Sequence, residues 1–190
     1  GVECGGTDTT SGIAANPAIG EIADTVIDAG GTVILSETSE FLGAEHILAK
    51  RAINEAVAEK ILRKVKNVED EAKRRGVDIR GANPVPDNIK GGITTIEEKS
   101  LGAITKGGTR PIQDILENTM VPPRKGLYLM DTPAPAVDSL TGLAAGGAQL
   151  AIFSTGVGNS IGHPVVTTIK VTGNPKTALH FKDNIDYREE

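Results

Sequence analysis

Cys4, Asp8, Glu37, Glu40, Glu45 and His46 are of types that ligate metals or move protons, and all lie in the first quarter of this 190-residue chain. Glu45-His46, with Glu37 and Glu40 close in sequence, offers carboxylate and imidazole ligands or an acid–base pair. An acid-rich helix start with a capping histidine would be written the same way. Cys4 stands in a polar, glycine-rich stretch, GVECGGTDTTSG, where metal ligation or an activated thiol is open to it. Lys90-Gly91-Gly92 and Glu97-Glu98-Lys99 put charge beside glycine or in a loop. A lysine there can neutralise a substrate carboxylate, and a glutamate can hold a divalent cation. Singly, each also fits plain surface charge; together they favour a small, anionic, hydroxylated substrate.

These residues need elements to hold them. The opening stretch reads as a loop with no strand before it, running to Asn16-Pro17. Asn16 is an N-cap residue and Pro17 suits the first helical position. Ile19, Ile22, Ala23, Val26 and Ile27 then share one helical face, and Gly30-Gly31 stops the helix. Such a helix start favours a carboxylate or phosphate. Residues 31–37 read as a buried strand ending in Ser36-Glu37. A long helical pattern follows to Arg75, with a break expected near Asn67. Residues 77–93 carry two X-Pro pairs and Gly91-Gly92 and read as loop. Thr94 or Thr95 followed by Glu97 or Glu98 resembles a capping box. Pro111 to Asn118 reads as a short helix, 126–132 as a strand, 138–149 as a helix, 150–156 and 167–172 as strands. The polar remainder from Asn174 wraps the domain or serves an oligomer contact.

Strands alternating with helices imply an α/β, Rossmann-like layered domain with a mostly parallel sheet and helices on both faces. Each strand ends in polar or glycine residues: Ser36-Glu37, Asp131-Thr132, Ser154-Thr155-Gly156, Gly173-Asn174. Ligands of open α/β sheets bind outside those carboxyl ends, so one site assembled from several loops is expected.

Composition removes several classes. A net charge of −5 and few aromatics argue against a nucleic-acid surface. No apolar run reaches membrane length. One cysteine rules out an internal disulfide and suits a reducing, cytoplasmic setting. Gly156-Val157-Gly158 lacks the dinucleotide-binding spacing, and His163-Pro164 blocks the helix that should follow. Lys106 precedes its glycines, unlike a P-loop lysine. The chain starts with Gly rather than Met, which reads as a fragment of a longer protein, with residues 1–190 as one domain.

ECGGTD at 3–8, SGIAANPAIG at 11–20, GGTVILSET at 30–38, GAEH at 43–46, GGITTIEEKSLGAITKGG at 91–108, LYLMDTPA at 127–134 and FSTGVGNSIG at 153–162 resemble the UxaA family. That family comprises altronate and D-galactarate dehydratases and the large subunit of sulfolactate sulfo-lyase. The resemblance runs to about Asn174 and implies a lyase: a proton leaves the carbon next to a carboxylate and a β-hydroxyl or sulfite departs, ending in a 2-keto acid. It also implies a divalent metal, iron(II) first, with manganese(II) or magnesium(II) as alternatives, and a missing N-terminal domain or small subunit. Under it, Cys4, Asp8 and Glu37 are the expected metal ligands, and Glu45, His46 and Lys99 the catalytic residues. Asn16, Lys90, Glu98, Lys106, Thr155 and Asn159 are the expected substrate contacts. Substrates would be a sugar acid or related hydroxy acid, and a homo-oligomer is compatible. The alternatives are a sulfo-lyase domain and a non-catalytic assembly domain.

Overall fold

The computed structural model describes residues 1–188. The chain runs β1 (Val2–Cys4), α1 (Asn16–Asp28), β2 (Thr32–Leu35), α2 (Glu45–Lys50), α3 (Glu55–Arg74), α4 (Ile79–Ala82), α5 (Pro86–Lys90) and α6 (Ile96–Ala103). It continues through β3 (Ile112–Glu117), β4 (Gly126–Asp131), α7 (Ala136–Ala145), β5 (Leu150–Ser154), β6 (Thr167–Thr172), α8 (Pro175–His180) and β7 (Tyr187–Arg188). The strands form one parallel sheet ordered β3-β4-β2-β1-β5-β6-β7. Period-2 alternation builds a core on each face. Leu127 and Leu129 of β4 join Val33 and Leu35 under α1, α2 and α3, while Tyr128 and Met130 join Ile34 and Phe153 under α7. The expected α/β layering with helices on both faces is what forms.

Several local expectations are overturned, each for a physical reason. Val2–Cys4 is a central strand, not part of the loop, paired to β5 through Val2↔Ile152 and Cys4↔Ser154. Its polar residues are buried because they belong to the site. Residues 112–117 form a strand, not a helix. Ile112 and Ile115 repeat at the helical spacing of three, but a bulge between Ile112 and Asp114 resets the strand alternation, so both are buried.

The break in the long helical pattern comes at 51–54, not near Asn67. Arg51 O accepts from Ile112 N (2.8 Å) and Ile53 N donates to Ile112 O (3.1 Å), which pulls this backbone out of helix and onto the edge of β3. Asn54 then restarts it by accepting from Val57 N (3.0 Å). Within the expected loop 77–93 lie α4 and α5. Asn16 is not an N-cap: the helix already runs through a π-turn, Ser11–Ala15, and Asn16 is helical within it. The tail adds α8 and the edge strand β7.

The chain leaves β1 toward β2 on one side and returns as β5 on the other, so the strand order reverses at β1/β5. Ligands usually enter at such a reversal. Here glycine loops close it. Gly156 N and Val157 N both donate to Gly6 O (2.9 Å each), and a Cβ at Gly156 would run into the Asp8 carboxyl. The sheet opens on the other side. β1 and β2 share a single register pair, Val2↔Leu35, and then splay.

Candidate functional site

Glu37 fills the gap left by that splay. Its Oε2 accepts from Cys4 N (2.9 Å), standing in for the absent ladder partner. To reach it, Glu37 adopts φ 71°, ψ 72°, a left-handed conformation that costs a non-glycine residue about 1 kcal/mol or more. Glu37 N donating to Thr132 Oγ1 (2.7 Å) and Glu40 N donating to Glu37 O (2.8 Å) hold the backbone there.

A buried charged cluster forms around this point: Glu3, Cys4, Glu37, Glu40 and Lys106. Neither Glu3 oxygen makes a hydrogen bond of good geometry. Burial and the nearby Glu37 charge push its carboxyl up to about 9, against weaker pulls from Ser139 and Lys106. Burial likewise raises Glu37, to about 7; Lys106 opposes this and Glu40 reinforces it. Burial disfavours the Lys106 ammonium, but Cys4, Glu37 and Glu40 outweigh it and hold its pKa above the ordinary lysine value. Burial, then the Glu37 charge, pushes the Cys4 thiol up to about 12. A thiol so placed is a poor nucleophile. Iodoacetamide at pH 8 is therefore expected to leave Cys4 unmodified in the native protein and to label it on unfolding, as read by peptide mass spectrometry.

In front of the cluster lies a cavity of about 540 Å³ at the carboxyl edge, lined by Ser39, Glu40, Asn83, Lys99, Asp131 and Thr132 among others. Lys99 Nζ donates to Glu40 Oε1 (3.1 Å) and Asn83 Oδ1 (2.9 Å). Glu40 Oε2 is buried and has no hydrogen-bond partner among the described residues. Lys99 also lines a smaller cavity of about 280 Å³ that touches Asp8, Gly12, Ile93 and Glu98. One ammonium thus stands between two spaces, beside a carboxylate with a free oxygen.

The structure brings together Cys4, Glu37, Lys106 and Lys99; Asp8 and Glu98 share only the smaller cavity with Lys99, and the other predicted residues line neither space. Asp8 starts the first helix: its Oδ1 accepts from Ser11 N (3.0 Å) and Thr10 Oγ1 (2.6 Å), and its Oδ2 from Asn174 Nδ2 (2.8 Å). The anion expected at that helix start is thus the protein's own. Asn16 Nδ2 donates to Gly102 O (2.9 Å), tying α1 to α6. Glu98 accepts from Thr94 N (2.8 Å) and Thr94 Oγ1 (2.7 Å), which hold its carboxyl below the ordinary value. Glu45 Oε2 accepts from Gly43 N (2.6 Å), and His46 is exposed on α2; neither lines these cavities. Lys90 is exposed on α5. Thr155 Oγ1 accepts from Gly158 N (3.1 Å) and Asn159 Oδ1 from Ile161 N (2.8 Å), so both shape the glycine loop at β5. Glu40 and Asn83 join the site instead. Glu40 was signalled by its place just past the polar end of β2; nothing in the sequence marks Asn83.

Cys4, Asp8 and Glu37 do not converge on one point. Cys4 and Glu37 meet at the Lys106 ammonium, and Asp8 is taken up by its cap bonds. Among the described residues no group of three or more His, Cys, Asp or Glu side chains is placed to hold a metal ion. The described donors do not by themselves fit a metal site.

The site is thus a lysine–glutamate pair facing a cavity at the carboxyl edge of a doubly wound parallel sheet. The chain belongs to the D-galactarate/altronate dehydratase, C-terminal family, whose model matches residues 1–189. It is 39% identical over 186 residues to the (2R)-sulfolactate sulfo-lyase subunit beta of Chromohalobacter salexigens, covering 97% of this chain and 48% of that protein. Over 174 residues it is 40% identical to the altronate dehydratase of Bacillus subtilis, covering 92% and 35%. Over 186 residues it is 37% identical to the galactarate dehydratase (L-threo-forming) of Escherichia coli, covering 98% and 35%. The chain thus spans between a third and a half of the length of these curated relatives. Among the described residues no helix is long and apolar enough to cross a membrane.

Proposed function

We propose that this domain supplies the acid-binding wall of a β-eliminating lyase that converts a sugar acid, of the altronate or galactarate type, into a 2-keto-3-deoxy acid. The observation that carries this reading is Lys99, bonded to Glu40 and Asn83 at the edge of the 540 Å³ cavity. An incoming carboxylate pairs with the Lys99 ammonium, which loosens its bond to Glu40. The α-carbon then lies beside Glu40, whose carboxylate, released from Lys99, takes the α-proton. The C–H electron pair moves toward the carboxylate, where Lys99 stabilises the added charge. As the β-carbon–oxygen bond breaks, the proton on Glu40 passes to the departing hydroxyl. Water leaves, and the enol becomes the 2-keto acid. The Glu37–Lys106 cluster behind them holds Glu40 in place.

Several further elements belong to the same proposal. The divalent metal implied by the family resemblance would need ligands from outside this chain. The rest of a longer chain, or a separate small subunit, would complete the cavity, and a homo-oligomer and a cytoplasmic setting are compatible. The second reading, a sulfolactate sulfo-lyase domain, is supported by the 39% identity to a sulfo-lyase subunit; sulfite would then leave in place of hydroxide. Assaying 2-keto acid formation by the full-length enzyme with altronate, galactarate and sulfolactate tests both. Turnover of one acid names the reaction, and no turnover of any by the folded enzyme refutes the proposal.

A further inference from the structure

Between the end of α3 and α5 the chain lines the Lys99 cavity, and its apolar hold on the body is confined to Ile79, half-buried against the core, and the buried Pro84. Of residues 77–85, only Pro84 is buried. The segment lies between two spaces. On one side Ile79, Asn83 and Val85 line the 540 Å³ cavity; on the other Val77, Asp78, Ile79 and Arg80 line a cavity of about 370 Å³ against Glu69 and Lys73 of α3. It leaves α3 through Gly76, whose φ of 69° other residues rarely adopt and whose missing side chain would meet no atom within 4 Å. At its far end α5 is anchored, because Asn88 Nδ2 donates to Thr7 O (2.7 Å). In between, the ties to the body are made largely by side chains. Arg80 pairs with Glu97 of α6 and, at 3.5 Å, with Glu69, while Asn83 Oδ1 accepts from Lys99 Nζ (2.9 Å).

We propose that residues 77–85 form a strap that opens and closes over the Lys99 cavity, and that Asn83, carried on it, is the positioning residue that aims Lys99 when the strap is closed. This rests on the reading of the cavity as the acid site. Sparse burial, space on both sides and polar latches are the marks of a segment that opens at low cost. A strap of this kind lets a substrate in and then excludes water around the ammonium. Closing it brings Asn83 to a Lys99 already paired with Glu40, so the cation is aimed before the acid pairs with it.

The test uses the full-length enzyme with Arg80→Cys and Glu97→Cys combined, which replaces the ion-paired latch by a bond that can be made and broken, with the single variants as controls. In the reduced enzyme, residues 77–85 are expected to exchange amide hydrogens faster than α6, and oxidation is expected to slow them at least tenfold. With whichever of altronate, galactarate or sulfolactate the enzyme turns over, oxidation should lower 2-keto acid formation by about tenfold or more, and dithiothreitol should restore it. Exchange in 77–85 as slow as in α6, or unchanged turnover after oxidation, overturns the proposal. The exchange measurement judges the strap even if none of the acids is turned over, which separates its failure from failure of the acid-site reading. If the disulfide does not form, Asn83→Ala decides: kcat/KM is expected to fall about tenfold with melting temperature nearly unchanged. Asn83→Asp, which keeps the acceptor for Lys99, is expected to recover most of it, and an unchanged kcat/KM in Asn83→Ala overturns the proposal.

Discussion

Replacing Lys99 by methionine in the full-length enzyme is expected to lower kcat/KM by about 1,000-fold. Lys99 is the cation that faces the cavity, and its loss leaves the charge developing on the substrate carboxylate without its donor. Lys99 is also the partner of Glu40 Oε1 (3.1 Å), so the same change strips the base of its counter-ion. Lys99→Arg keeps the charge but not the compact ammonium, and should recover only part of the rate. Steady-state kinetics on both variants, with circular dichroism confirming the fold, measures this. A loss below tenfold for Lys99→Met would remove Lys99 from the reaction.

The second large effect falls on stability. Lys106→Met should destabilise the fold by about 3–5 kcal/mol at neutral pH, because it leaves buried carboxylates without their cation. The pH dependence gives the mechanism. Glu37 is already raised to about 7 from the ordinary 4.5, and removing Lys106 raises it further. A carboxyl whose pKa is higher folded than unfolded binds its proton more tightly in the native state, so stability falls as pH rises above 4.5. Glu3, raised to about 9, adds a penalty of the same sign. The deficit of Lys106→Met should thus be small near pH 4 and grow through pH 7. Adding Glu37→Gln should recover part of it. Thermal unfolding of the enzyme across pH 4–8 reads all three, and a deficit independent of pH would mean that Lys106 acts by packing alone.

The sheet was legible in the sequence wherever apolar strands ended in polar residues: 31–37, 126–132, 150–156 and 167–172 all lie close to their strands. Reading failed where an element departs from its usual pattern. Val2–Cys4 is a core strand that carries Glu3 and Cys4 because they belong to the buried cluster, and a charged strand does not announce itself as core. Ile112 and Ile115 mimic helical spacing through a bulge, which depends on the pairing with β4. The helix restart at Asn54 depends on contact with Ile112, over fifty residues away.

The site was legible in part. Glu37, Lys99 and Lys106 stood out as charges at strand ends or in glycine-rich segments, and they come together. Glu45 and His46 stood out as residue types, but their helix turns them away from the cavities. Asp8 carries the most motif-like signal, and its bonds to Thr10, Ser11 and Asn174 spend that carboxylate on holding loops. Residue type flags candidate chemistry; only the splay of β1 from β2 decides which candidates meet.

In the proposed reaction Glu40, held by Lys99, takes the α-proton. The most direct measurement is deuterium incorporation at the α-carbon from heavy water, alongside 2-keto acid formation, in the full-length enzyme and its Glu40→Gln and His46→Ala variants. Glu40→Gln is expected to lose both the exchange and the product, by about 100-fold or more, while His46→Ala keeps both. Exchange at the wild-type rate in Glu40→Gln, or its loss in His46→Ala, would contradict it and move the base to α2.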